Sequence, residues 1–306
     1  MPESFLIYGA TGYTGQLIAR QAVAQGLRPL LAGRSAAALA ALAGELGLSY
    51  RVAALDDAAA LDAALTGVTA VLHAAGPFVH TARPMVDACV RHRVHYLDIT
   101  GEIAVFEALA RRSQAAQAAG VTLLPGVGFD VVPTDCLSAH LHTRLPSATH
   151  LALAFRSVGS TWSRGTMNTM VEGIDRLGAV RQQGKIRQVP AAWKTRAIDF
   201  GRGPVACVTI PWGDVATAFY STGIPNIEVY AVFPAALRRG LVASRWLGGL
   251  LATAPMQRLL KRAIGAGAPG PSAAQRSQGF SLVWGEVRDD QGQTRVSRLR
   301  TPEGYE

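Results

Sequence analysis

The chain has 306 residues, enough for two domains at about 150 residues each, and is 49% hydrophobic with only 17% charged residues, which excludes intrinsic disorder as its main state. Lys plus Arg exceed Asp plus Glu by 30 to 21, and only Lys185, Lys194 and Lys261 are lysines, so arginine carries the net charge of +9 and favours anionic ligands. Cys89, Cys136 and Cys207 stand far apart without a CxxC, so neither a disulfide framework nor a structural zinc site is indicated and a reducing, cytoplasmic setting is expected. No basic leader precedes Phe5, and no stretch has membrane-spanning quality.

The first half alternates short apolar runs with amphipathic, Ala-rich stretches, as parallel strands joined by crossover helices do. Strands are predicted at Phe5–Tyr8, Arg28–Ala32, Tyr50–Leu55, Ala70–Ala74, Tyr96–Ile99 and Val121–Leu124, with helices at Gly15–Gln25, Ala36–Leu46, Ala58–Leu65, Arg83–Arg91 and Val105–Ala119. This is an α/β chain with a doubly wound parallel sheet over residues 1–135. A helix at Thr134–Arg144 opens a second, mixed α+β domain over 136–306. Its predicted strands are Leu151–Arg156, Val205–Ile210, Ala216–Ser221 and Ile227–Phe233, followed by a hairpin of Phe280–Arg288 and Gln293–Arg300 around Asp289-Asp290-Gln291-Gly292. Ala235–Ile264 mixes Leu and Trp with Arg and Lys. It reads as a half-buried surface helix or as a helix lying on an anionic membrane surface, before a Gly/Ala/Pro linker at 265–271.

The strongest motif is Gly9-Ala10-Thr11-Gly12-Tyr13-Thr14-Gly15, set between the first strand and the first helix. Gly9 permits the turn, Gly12 lets backbone amides approach a pyrophosphate, and Gly15 lets the helix close on the sheet, so a dinucleotide is expected there. At the end of the second strand an NAD site would carry a carboxylate; this chain has Arg34-Ser35. A guanidinium that can fork onto a 2′-phosphate, with a neighbouring hydroxyl, makes NADP(H) a better match than NAD(H). Asp56, after the third strand, borders the adenine or caps the following helix. Gly76 and Pro77 end the fourth strand, Asp98 and Glu102 follow the fifth, and Asp130 lies in the Gly-rich loop after the sixth. All belong at the carboxyl edge, where open parallel sheets bind ligands.

Asp98, Glu102 and Asp130 are the candidate acids, although capping and loop hydrogen bonds explain carboxylates beside Gly equally well. No Tyr has a Lys four positions on, which disfavours the short-chain dehydrogenase arrangement, and the histidines lack metal-ligand spacing. The arginines form no nucleic-acid motif.

Together Gly9–Gly15, Ala32-Gly33-Arg34, Gly76-Pro77-Phe78, Tyr96–Glu102 and Gly128-Phe129-Asp130 with Pro133 resemble the saccharopine dehydrogenase-like oxidoreductases, a family that includes trans-acting enoyl reductases. The resemblance covers about the first 140 residues. It implies a Rossmann-type domain binding NADP(H) or NAD(H), and a second domain for a small-molecule or acyl substrate and for homodimer contacts. It also implies hydride transfer to a C=C or C=N acceptor. Gly165-Thr166 stands where the family has a segment facing the nicotinamide, and the family usually continues past Thr301–Tyr305 into a further helix. Arg156, Arg164, Arg187, Arg196 and Arg202 suit a carboxylate clamp; Trp212, Phe219, Tyr220, Tyr230 and Phe233 suit an apolar tunnel or a sheet core. A non-catalytic NADP(H)-binding module is the rival class.

Overall fold

The computed structural model describes residues 5–161, 163–165, 167, 178–235, 238–242, 253, 262 and 269–306, and divides into two compact units, Met1–Gly128 and Phe129–Glu306. The putdown of apolar residues on alternate positions decides the first unit. It holds β1 (Phe5–Tyr8), β2 (Leu30–Gly33), β3 (Tyr50–Val52), β4 (Ala70–His73), β5 (His95–Asp98) and β6 (Leu123–Leu124), all parallel, in the order β3-β2-β1-β4-β5-β6. Leu6 and Tyr8 of β1 enter one core while Ile7 between them enters another, because side chains alternate across a strand. The Ile7 side is covered by α1 (Tyr13–Ala24) and α2 (Ala36–Leu46) through Ala19, Leu39 and Leu42; the Leu6 side by α3 (Ala58–Leu65) and α4 (Phe78–His92) through Leu61, Leu65, Met85 and Val86.

The predicted helix over 105–119 is two helices, α5 (Ile103–Ala110) and α6 (Ser113–Ala119). The break falls where the Arg112 guanidinium turns back to Asp87 of α4 and the Ser113 hydroxyl takes the Ala110 carbonyl.

The second unit begins with α7 (Val132–Arg144) and builds a mixed eight-stranded sheet. Its strands are β7 (His150–Val158), β8 (Gly178–Gln182), β9 (Lys185–Val189), β10 (Thr195–Asp199), β11 (Pro204–Thr209), β12 (Asn226–Val232), β13 (Phe280–Arg288) and β14 (Thr294–Pro302). The main path runs β10-β11-β12-β7-β13-β14, with β8 on β12 and β9 on β8. One face receives α7: a Cβ at Gly285 would lie 2.6 Å from Leu141 Cδ1, so the missing side chain is what lets the helix approach. On the other face the sheet coils over itself, and Ala154, Ile198, Cys207, Tyr230 and Trp284 from five strands share one core. Arg196 of β10 closes that coil, with both Glu286 carboxylate oxygens of β13 accepting from its Nη2 at 2.8 Å and its guanidinium 4.8 Å from the Trp284 ring centre.

Ala216–Ser221, expected as a strand, is the middle of helix α8 (Asp214–Thr222), which ends on Gly223 in the left-handed conformation. Aromatic and Thr residues favour a strand locally, but burial of Asp214, Val215, Ala216 and Ala218 on one side of a helix against α7 outweighs that preference. The short helix α9 (Ala273–Gln278) precedes β13 and carries a full capping box from Ser272 and Gln275. The expected hairpin is present, its turn tied by Asp289 Oδ1, which accepts from the amides of Gln291 and Gln293. The segment 235–264, proposed as a membrane-surface helix, and Thr166 lie largely or wholly outside the described residues. Among the described residues no helix is long and apolar enough to cross a membrane.

Candidate dinucleotide-binding site

The β1–α1 loop is held by its own backbone before any ligand is considered. Gly9, at φ 81°, donates to Ala32 O at 2.9 Å, Gly12 donates to Gly9 O at 3.0 Å, and Gln16 Nε2 ties Thr11 O at 2.9 Å. A Cβ on Gly9 would press to 2.8 Å of Ala75 Cβ, and one on Gly15 to 2.2 Å of Gly9 O, so both glycines are demanded by packing. Gly12 is different: a Cβ there meets only Gly9 O, at 3.3 Å, and its backbone is ordinary extended chain at φ −72°. Its missing side chain leaves room outside the loop.

Gly12 is also the N-cap of α1; no side chain caps the helix, and its first turn carries no carboxylate. Tyr13, Thr14 and Gly15 open this helix, whose positive dipole end suits phosphate. Arg34 follows β2, exposed and without an ion-pair partner among the described residues, and Ser35 caps α2 by accepting from Ala38 N at 3.4 Å. The expected cap of α3 at Asp56 is corrected: Asp57 does this, accepting from Ala60 N at 2.9 Å, because its position, one residue before the helix, aims Oδ1 at the third amide. Asp56 stays exposed, and both it and Arg34 act electrostatically on the Tyr8 hydroxyl, which donates to Ala53 O at 3.0 Å.

The carboxylates after β5 organise loops. Asp98 is fully buried and accepts from Tyr96 OH at 2.7 Å, Thr100 N at 3.0 Å and Gly126 N at 2.8 Å. Burial raises its pKa, and these hydrogen bonds pull against that. Glu102 reaches back to cap α4, accepting from Phe78 N at 2.7 Å and Val79 N at 2.8 Å, and so fixes the chain just after the cis Gly76–Pro77 bond. Sequence reading missed His73 as a feature of this edge. It ends β4 fully buried among Tyr8, Phe78 and Tyr96, its Nδ1 has no partner among the described residues, and burial pushes its pKa down to about 4.

Asp130 belongs to the second unit. Its carbonyl accepts from the Trp212 indole, its carboxyl is pushed up to about 6 by burial, and the Phe129 ring before it packs on Gly304, where a Cβ would come within 3.1 Å. The terminal segment is fastened there, Glu303 accepting from Ser160 Oγ at 2.6 Å and Tyr305 N at 2.7 Å.

In the arginine set, Arg156 and Arg196 both act electrostatically on Cys207. Arg196 is matched by Glu286, Arg202 lies 6.0 Å from the Phe280 ring centre, and Arg187 lines a shallow groove with Gln182 and Trp193. Tyr230 is in the coiled-sheet core, Trp212 stacks on Phe155, and Tyr220 is exposed on α8 beside Phe219.

Residues 5–124 match the family model of the saccharopine dehydrogenase NADP binding domain. The chain is 32% identical over 148 residues to a trans-acting enoyl reductase of Mycobacterium leprae (strain TN), covering 46% of this chain and 35% of that protein. It is 24% identical over 215 residues to a saccharopine dehydrogenase-like oxidoreductase of Rattus norvegicus, covering 61% of this chain and 49% of that one. The chain thus spans half or less of the length of these curated relatives. Its fold is similar to that of apo histidine-tagged saccharopine dehydrogenase (L-Glu forming) from Saccharomyces cerevisiae, with TM-score 0.62 and 12% identity over 97% of this chain and 85% of that one. Residues 5–124 thus match an NADP-binding domain of the saccharopine dehydrogenase type, and the chain is similar over part of its length to saccharopine dehydrogenase-like oxidoreductases.

Proposed function

We propose that the protein is an NADPH-dependent reductase that delivers hydride to a C=C or C=N bond of an apolar, acyl-type acceptor. The observation that carries this reading is the pairing of an uncapped α1 N-terminus with an unmatched Arg34 at the end of β2. The amides of the first turn hold the diphosphate, Gly12 leaves space for it, and Arg34 with Ser35 holds the 2′-phosphate. When bound, the reduced nicotinamide supplies the hydride. Asp98 and Glu102 position the loops at the strand ends, since their oxygens already accept hydrogen bonds from amides. Asp130, with a carboxyl lifted to about 6 by burial, is the acid the second unit offers for the proton that reduction requires. The apolar acceptor is supported by the low charge content and by Arg196, which would serve a carboxylate clamp but is matched by Glu286. The name of the mycobacterial relative supports the enoyl choice.

Calorimetry and stopped-flow NADPH oxidation test this. NADPH should bind more tightly than NADH, and Arg34→Glu should lower that preference by about 10- to 100-fold, the worth of a charge-assisted phosphate contact. An unchanged ratio refutes the 2′-phosphate assignment. Tight binding with no oxidation by any enoyl or imine acceptor leaves a cofactor-binding module instead.

A further inference from the structure

The coiled face of the second sheet carries a row of arginines that the sequence scatters along the whole second unit. Residues paired in register point to one face of a sheet. Arg196 of β10 pairs with Cys207 of β11, and Cys207 with Val232 of β12; Arg156 of β7 pairs with Leu282 of β13, and Leu282 with Arg300 of β14. Val232 and Arg156 stand two residues past Tyr230 and Ala154, which are partners, so they join the two halves of the row. This is the face whose core holds Ala154, Cys207, Tyr230 and Trp284. Val205, Val232 and Leu282 pack against that core and stay half-buried.

The carboxylates of this face are already engaged. Glu286 holds Arg196, and Glu228 is taken by Lys194 and Tyr230. Across the coil, Arg298 gives its Nε to Asp199 O at 2.8 Å, with Asp199 Oδ2 3.7 Å from its Nη2. Arg156, Arg202, Arg238 and Arg300 have no carboxylate partner among the described residues. Arg300 and Arg202 lie 4.3 and 6.0 Å from the centre of the Phe280 ring, a contact that leaves their charge in place. Arg156 is half-buried. Burial raises the Cys207 thiol to about 11, and Arg156, Arg196 and Arg238 each pull against that. A half-buried guanidinium without an anion is costly, and so is apolar surface left in water. One ligand answers both.

We propose that this face binds an amphiphilic anion, a carboxylate or phosphate head on an apolar tail, with the head on Arg156 and Arg300 and the tail along Val205, Val232 and Leu282. Arg156 and Arg300 flank Leu282 one strand away on either side, so their backbones stand about 10 Å apart, a span that two long side chains close onto one head. A guanidinium forks onto either kind of head. Arg196, already held by Glu286, adds charge but no free fork. That the bound molecule is the hydride acceptor rests on the oxidoreductase reading; its binding here does not, and it is measured without cofactor.

The test is calorimetry of the full chain with dodecanoate and dodecyl phosphate below their micellar concentrations, against dodecanol, acetate and inorganic phosphate. At least one of the two amphiphilic anions should bind saturably, and at least about tenfold more tightly than dodecanol or its own small anion. The tighter of the two identifies the head as carboxylate or phosphate. Arg156→Gln and Arg300→Gln should each weaken that binding by at least about tenfold, whereas Arg295→Gln, on the opposite face of β14, should leave it unchanged. Arg300 is exposed at the sheet edge, so its variant serves even if Arg156→Gln fails to fold. No binding of either amphiphile overturns the proposal, as does dodecanol binding equally well or indifference to Arg300→Gln. An equal loss in Arg295→Gln also overturns it, since diffuse positive charge then suffices. Arginine-dependent binding in a protein that oxidises NADPH with no enoyl or imine acceptor upholds the site and overturns only its link to hydride transfer.

Discussion

His73 shows how one buried side chain writes itself into the pH dependence of the whole domain. Its imidazole is fully buried and its pKa lies near 4, against 6.5 for an exposed histidine. Between those two values the unfolded chain takes a proton that the folded one refuses, so stability is intact above pH 6.5 and falls as the pH drops towards 4. The loss should approach about 3 kcal/mol. Urea melts at neutral and acid pH should show this loss in the unaltered protein and its absence in His73→Leu, measured relative to each protein's neutral value. The same scale explains why the carboxylates at the strand ends were visible in the sequence while their duties were not. Asp98 and Glu102 were identifiable as acids at the carboxyl edge, but besides the nearby Thr100 the amides they bind belong to Gly126, Phe78 and Val79, more than twenty positions away. A residue's identity is local; its hydrogen-bond partners are not.

At the scale of elements, the β1–α1 loop separates two kinds of glycine. Gly15→Ala puts a methyl 2.2 Å from Gly9 O, a backbone atom that cannot step aside, and should destabilise the first unit by about 1–3 kcal/mol or more. Gly12→Val meets one oxygen at 3.3 Å and should leave the circular dichroism unchanged while abolishing NADPH binding in calorimetry. Retained affinity in that variant would move the phosphate site elsewhere. The loop was legible because strand, glycines and helix are contiguous in the chain. The second unit was less so. β8 and β9 form a hairpin on Gln183-Gly184, both at positive φ, and Gln-Gly lacks the Asn or Asp that ordinarily signals such a turn. α8 read as a strand because its Thr and aromatic residues favour one, and only its packing against α7 reverses that preference.

For the whole molecule, the division after Gly128 leaves the first unit with both of its cores and every residue of the β1–α1 cradle. Residues 1–128 produced alone should therefore unfold in one cooperative transition and bind NADPH within about tenfold of the full chain; failure to bind in calorimetry would mean that the second unit contributes to the site. The sequence by itself determined the six parallel strands and crossover helices, the glycine loop and the place of Arg34 just after the second strand, because periodicity, turn residues and strand-end position all act over neighbouring residues. Only the tertiary structure decided that Arg196 is spent on Glu286, that Asp57 and not Asp56 caps α3, and that Ser221 of α8 binds Asp135 of α7. Each depends on which distant segments meet, and desolvation, ion pairing and helix packing take their sign from that meeting.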